Sequence, residues 1–375
     1  MIGNQKKRVV WTFTNTIALL GAAVLLAGVM LWIRIYPWSP VDKVLQSMTL
    51  NEKICQMMIV RPEQLTEVST VYAAGRTTER ALARYPVGGI IYNGSNLISE
   101  EQVKKMLANT QSYSKLGLFL TLNIGVESKP DCLQYGNYSL YDLMVGLEYP
   151  RADESKEAVF EYAKALAKER GDLGFNLVLG PMMYLAGRTV NSAELVESAV
   201  QGYHAGGVLC SIQDFPGIGH VSRESGLPDD PPEVTLEDIR REKYPLYRAG
   251  IAAGADAISA GCFQLDEMGD VPSRSPVWIQ DELRGRVGYD GIIISGPLAD
   301  DIYAVTEGYE DDPLLAVEAG CDMILDPPDL AKAIRNIKEA IMSQDHPNIT
   351  MKRIDQSVRR ILQAKYDAGI LKLSG

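Results

Sequence analysis

Gly207-Val208-Leu209-Cys210-Ser211-Ile212-Gln213-Asp214-Phe215 decides how the rest of this chain is read. It is a mainly apolar run without polar alternation, and it turns polar at Gln213 and Asp214 just before its end. That is the pattern of a short strand buried on both faces of a parallel sheet. Similar runs recur at 88–93, 118–125, 176–181, 256–262, 291–298 and 322–327, each ending in Gly, Pro or polar residues. A run at 54–60 is a more ambiguous eighth. Between them, 99–116, 158–171, 192–205, 235–253, 276–287 and 330–342 place apolar residues three and four apart, the spacing of helices with one buried face. Ser99 before acidic residues, and Thr235 before Glu237 and Asp238, are helix-start signals.

Strand-then-helix repeated over most of 375 residues predicts a parallel sheet with crossover helices. Seven or eight units fit a closed (β/α)8 TIM-type barrel better than an open doubly wound sheet. No Gly-x-Gly-x-x-Gly loop follows the first clear strand, which argues against dinucleotide binding. In such barrels chemistry sits at the C-terminal strand ends. The positions to examine are therefore Asn123, Gly180-Pro181, Gln213-Asp214, Cys262, Gly296 and Asp326.

The N-terminus stands apart. Lys6-Lys7-Arg8 precedes an uncharged stretch that ends before Arg34, with Tyr36 and Trp38 just beyond. About 20 apolar residues cross a bilayer as a helix. Basic residues before such a span and aromatics after it favour a cytoplasmic N-terminus. A cleaved signal peptide is the alternative, but its apolar region is normally about 7–15 residues. The expected organisation is a cytoplasmic N-terminus (1–8), a single transmembrane anchor (9–35), a linker (36–46) and an extracytoplasmic barrel (47–370) at the cell membrane.

The chain carries a net charge of −11, and the remainder is more acidic still, because the only charged residues up to Arg34 are cations. That sign repels nucleic acid, which is not an expected partner. Five cysteines stand singly without CxxC spacing, and there are only three histidines. No metal site and no cofactor are expected. Asp229-Asp230-Pro231-Pro232 lacks the spaced oxygens of a calcium loop.

The run from Gln213 to Pro228 resembles the Lys-His-Phe-Pro-Gly-His-Gly-Asp-Thr…Asp-Ser-His loop of glycoside hydrolase family 3, particularly its bacterial β-N-acetylglucosaminidase branch. Further landmarks agree in order: Met48-Thr49-Leu50-Asn51-Glu52-Lys53-Ile54-Cys55-Gln56, Pro86-Val87-Gly88-Gly89-Ile90-Ile91, Tyr289-Asp290-Gly291-Ile292-Ile293-Ile294-Ser295, and Arg353-Ile354-Asp355-Gln356-Ser357-Val358-Arg359-Arg360-Ile361-Leu362. The resemblance covers about residues 41–370. It implies retaining hydrolysis by an Asp nucleophile directly after Ser295, with an Asp–His pair on the loop after the fifth strand as general acid/base.

Those positions read differently here. The nucleophile position is Gly296. The acid/base loop reads Glu224, Ser225 and Gly226, with glycine at the His position. The substrate-gripping positions implied by the family read Asn123, Gln213, Asp214 and Cys262, and Arg188 is the one matched sugar-site candidate. Retaining hydrolysis needs a nucleophile and an acid about 5–5.5 Å apart. Glycine supplies neither. Substitutes among nearby residues are Asp214 and His220, with Glu224 on the same loop. Asp300 and Asp301 are read as favourable charge at a helix start. The competing readings are a solvated loop for His220 and Glu224, a hydrogen-bonded structural carboxylate for Asp214, and an ordinary ion pair for Arg188. Three functions remain open at this point: a membrane-anchored pseudoenzyme binding a cell-envelope saccharide or protein, a hydrolase with relocated catalytic groups, and a structural or assembly protein.

Overall fold

The computed structural model describes residues 39–122, 134–135, 138–139, 155–182, 192–217, 235–261, 271–298 and 312–373. The chain divides into two compact units, Met1–Ser47 and Met48–Gly375. In the first, the described part is a helix, Pro40–Ser47, where the sequence suggests a linker over 36–46. Ser39 Oγ accepts a hydrogen bond from the Asp42 amide and Pro40 occupies the first turn, so the local chemistry starts a helix there. No helix among the described residues is long and apolar enough to cross a membrane, and the expected span at 9–35 lies outside them.

The second unit is built on eight parallel strands: β1 (Met58–Val60), β2 (Gly89–Tyr92), β3 (Phe119–Leu122), β4 (Leu177–Met182), β5 (Leu209–Phe215), β6 (Ala257–Ala260), β7 (Ile292–Pro297) and β8 (Met323–Leu325). They follow one another in the order β3-β2-β1-β8-β7-β6-β5-β4, every pair parallel. The remaining seam, between β3 and β4, is bridged by one residue. The Asn176 amide donates to the Leu120 carbonyl at 3.0 Å. Its side-chain oxygen accepts from the Leu120 amide at 2.8 Å, and its side-chain nitrogen donates to the Leu118 carbonyl at 2.9 Å. A side-chain amide has the same donor and acceptor as a peptide unit, so Asn176 stands in for the missing ladder. The result is a nearly closed α/β barrel.

The apolar runs are strands for the expected reason: β1, β2, β3, β6 and β8 are buried at every position. The ambiguous run at 54–60 is two things. Its first part belongs to the helix Leu50–Gln56, fixed by a capping box between Thr49 and Glu52, and only its end is β1. The expected helix at 235–253 is broken into Leu236–Glu242 and Tyr244–Ala252. Pro245 has no amide proton for the carbonyl four residues back, which explains the break. The segment Val277–Val287 winds as a π-helix rather than with α spacing.

At the N-terminal face of the barrel the polar groups are heavily partnered. Asp322, which enters β8, is fully buried and accepts from Arg284 at 2.6 Å, Arg353 at 3.2 Å, Arg360 at 3.2 Å and the Ser357 hydroxyl at 2.7 Å. Burial alone pushes its carboxyl upward, but the three guanidiniums outweigh that and hold it below the usual range. Lys365 is also fully buried. It donates to the Gln56 side chain and the Gly117 carbonyl, both at 2.8 Å, and lies over the Phe119 ring.

Candidate active site

The opposite, C-terminal ends of the strands are irregular. The ladder register shifts between Leu179 and Met182 on β4, between Ile212 and Phe215 on β5, and between Met323 and Leu325 on β8. Such bulges are common where a strand end is re-aimed for function. On β5 the cause is visible. Ile212 packs against Gly250, and Phe215 packs against Tyr244, Tyr247 and Trp278, so both face the surrounding helices. Strict alternation would turn one of them inward. The bulge absorbs the mismatch, and it holds Gln213 and Asp214.

Asp214 is half-buried, and its backbone carbonyl accepts from the Tyr247 hydroxyl at 2.9 Å. Burial pushes its carboxyl up to about 6. Among the described residues no cation offsets that cost, so the acid form is favoured well into the range where an ordinary aspartate is ionised. Gln213 is half-buried beside it.

Gly296 occupies the penultimate position of β7 and is buried. Its carbonyl accepts from Ser295 Oγ at 2.9 Å, and that hydroxyl in turn accepts the Leu325 amide at 3.0 Å. Pro297 is in register with Leu325, so Asp326 follows directly on the neighbouring strand. Asp326 is buried, holds a left-handed backbone at φ 50°, and accepts from Arg61 Nε at 2.9 Å. Arg61 leaves the end of β1, so this ion pair crosses the β8–β1 seam at the rim.

Residues 49–364 match the Glycosyl hydrolase family 3 N terminal domain. This chain belongs to that family. Among its relatives, the β-hexosaminidase of Tolumonas auensis is 27% identical over 263 residues, covering 66% of this chain and 78% of that protein. The periplasmic β-glucosidase of Salmonella typhimurium is 23% identical, covering 88% of this chain but only 42% of that protein. Among solved structures, the family 3 β-N-acetylglucosaminidase of Paenibacillus superposes with a TM-score of 0.67 at 23% identity, covering 88% of this chain and 65% of that one. The β-N-acetylhexosaminidase of Beutenbergia cavernae gives a TM-score of 0.65 at 20% identity, covering 85% and 99%. These structural likenesses carry the barrel fold.

Of the site residues expected from the sequence, Gln213, Asp214 and Gly296 lie at the C-terminal rim, on β5 and β7. Asn123, Arg188, His220, Glu224, Ser225, Gly226 and Cys262 lie outside the described residues. Two groupings escaped the sequence reading. Arg61 was missed because the run before it reads ambiguously; a charged residue directly after a strand run was the available signal. The second is His204, Cys210 and Asp256, whose ligand-type atoms all lie within 4.8 Å of one another at the N-terminal face. His204 Nε2 is 2.8 Å from Asp256 Oδ2, which also accepts the Cys210 amide at 2.9 Å. That is a hydrogen-bonded arrangement. Burial and the neighbouring Asp256 carboxylate push the Cys210 thiol far up. The chain order separates these three residues, and the parallel pairing of β5 with β6 brings them together.

Proposed function

We propose that this family 3 barrel binds a cell-envelope saccharide without hydrolysing it, and that residues 9–35 tether it to the outer face of the cell membrane. One observation carries the reading. The strand-end position where the family resemblance implies an attacking carboxylate is Gly296, which has no side chain to form a glycosyl intermediate or to stabilise positive charge at the anomeric carbon. Loss of a catalytic residue can cost on the order of 10⁴–10⁶ in turnover. The β-hexosaminidase relatives suggest an amino sugar as the ligand class. The tether rests on the apolar N-terminal stretch and its basic and aromatic flanks.

The test is direct. Purified protein is expected to release no chromophore from aryl β-N-acetylglucosaminides or aryl β-glucosides, yet to bind N-acetylglucosamine in calorimetry. Turnover that vanishes on changing a single rim residue overturns the loss of chemistry. Absence of any sugar binding removes the saccharide.

A second reading, an active hydrolase with relocated groups, is favoured by Asp214. A carboxyl held near 6 is suited to donate a proton at neutral pH. Under that reading Asp214→Asn abolishes a measurable hydrolysis, whereas under the first there is none to abolish.

A further inference from the structure

We infer that His204, Cys210 and Asp256 form a zinc-binding site at the N-terminal face of the barrel. The site lies on the opposite face from Asp214 and Gly296 and does not depend on the saccharide reading.

Each donor comes from a different element. Cys210 stands near the start of β5, Asp256 directly precedes β6, and His204 is in the last turn of the helix Ala193–Ala205. Their ligand-type atoms all lie within 4.8 Å of one another. His204 Nε2 is 2.8 Å from Asp256 Oδ2 and 4.0 Å from Cys210 Sγ. Around a tetrahedral zinc ion, with bonds of about 2.0–2.3 Å, such atoms stand about 3.3–3.7 Å apart, so shifts of about half an ångström suffice.

Two of the three donors are locked by the backbone. The Cys210 amide donates to Asp256 Oδ2 at 2.9 Å, and the Asp256 amide donates to the Cys210 carbonyl at 3.2 Å. This reciprocal clamp between neighbouring strands holds the carboxylate beside the thiol, the part that outer hydrogen bonds play around a metal. His204 is the adjustable member. Its side chain is 33% exposed and that of Asp256 21%, whereas Cys210 is fully buried. An ion can therefore enter from solvent on the His204 side, where a water completes a fourfold shell.

The donor set selects the ion. Sulfur and imidazole nitrogen suit zinc, whereas calcium and magnesium take oxygen ligands. In the metal-free protein, burial and the Asp256 carboxylate keep the proton on the Cys210 sulfur. Zinc exchanges one bond for another: sulfur–hydrogen breaks, zinc–sulfur forms, and the proton leaves to solvent. A dication with one thiolate and one carboxylate is neutral overall, so no anion is left buried alone. The helix C-terminus at His204 and the net charge of −11 both favour a cation. Tyr289 adds an independent sign. Its buried hydroxyl lies in range of the Asp256 and Cys210 charges and has no hydrogen-bond partner among the described residues. A buried donor without a protein acceptor marks a place for a water or an ion.

The experiment titrates the reduced, chelator-treated full chain with zinc by calorimetry and with cobalt by absorbance. One equivalent of zinc is expected to bind, and cobalt is expected to give the near-ultraviolet band of a thiolate-bound ion. Cys210→Ser is expected to abolish that band and to weaken zinc more than about a hundredfold, beyond what loss of an outer hydrogen bond costs. His204→Gln, at a partly exposed position, is expected to weaken zinc at least about tenfold and to remove the rise in melting temperature that zinc gives the unaltered protein. No stoichiometric zinc binding in the unaltered protein overturns the inference. So does an affinity, or a cobalt band, that survives both substitutions unchanged. If Cys210→Ser does not fold, the cobalt band of the unaltered protein and its weakening in His204→Gln decide the matter.

Discussion

The two ends of this barrel differ in how closely their charged groups are partnered. At the N-terminal face, Asp322 is sunk completely and met by three arginines and a serine hydroxyl. Lys365 is equally buried and met by two oxygen acceptors. At the C-terminal face, Asp326 has a single arginine, Arg61, at 2.9 Å among the described residues, Asp214 pays for its burial with a raised pKa and has no cation among those residues to offset it, and Gly296 has no side chain. Where polar groups are fully partnered, removing one should cost stability. Where they are not, removing one should cost little or even help. The contrast fits the general division of such barrels into a stabilising face and a working face.

The strongest challenge to this contrast is Asp322→Ala. It leaves Arg284, Arg353 and Arg360 crowded without their anion, and breaking a buried pair of this kind costs about 3–5 kcal/mol. Chemical denaturation should therefore show a large loss of stability or a protein that does not fold. A loss comparable to that of a surface mutation would mean the cluster is not a staple.

Lys365→Met comes next, at about 1–3 kcal/mol, because the Gln56 and Gly117 oxygens lose their donor. Its pH signature is as informative as its size. Burial lowers the Lys365 ammonium from 10.5 to about 7, so the folded state binds fewer protons than the unfolded state between those values. Stability should rise with pH across that window and fall as pH drops toward 7, and the slope should flatten in the variant. An unchanged slope would mean that Lys365 is not desolvated.

Asp214→Asn tests the other face. The folded pKa of about 6 lies above the usual 3.8, so the contribution of this group is fully present below pH 3.8 and is lost as pH rises through 6. The variant should therefore be more stable than the parent at pH 8, by about 1–2 kcal/mol once solvent contact is discounted, with no gain at pH 3.5. Destabilisation at both values would make Asp214 a structural carboxylate instead.

The smallest effect is expected at His204, on the partnered face but half-exposed. Its hydrogen bond to Asp256 raises its pKa above 6.5, so its contribution is present below that value and lost as pH rises through the folded pKa. His204→Gln should cost less than about 1 kcal/mol, mainly at pH 6 and below. A larger loss at pH 8 would assign the residue a role beyond the ion pair.

Much of this molecule is legible in one dimension. Seven apolar runs mark seven strands, because a strand covered on both faces has no polar alternation to confuse it. Both helix-start signals hold: Ser99 and Thr235 each accept the expected amide hydrogen bond, and Ser192 caps its helix in the same way. Legibility fails where a residue acts through a distant partner. Nothing near Asn176 announces that its amide bridges the β3–β4 seam, since its partners Leu118 and Leu120 lie more than fifty positions earlier. Arg61 and Asp326 are 265 residues apart and meet only because β1 pairs with β8. The expected helix at 235–253 failed for a local reason that was readable, Pro245, which the apolar spacing masked.

The amino-acid order alone determined that this is a barrel of alternating strands and helices, and that its seventh strand carries a residue with no side chain just before its end. Both follow from composition along the chain: apolar periodicity selects the secondary structure, and glycine lacks a reactive group in any fold. Only the tertiary structure decided which charges are staples and which face the rim. A carboxylate such as Asp322 or Asp214 acquires its electrostatic character from burial and neighbours, and those are set by strand pairing across hundreds of residues.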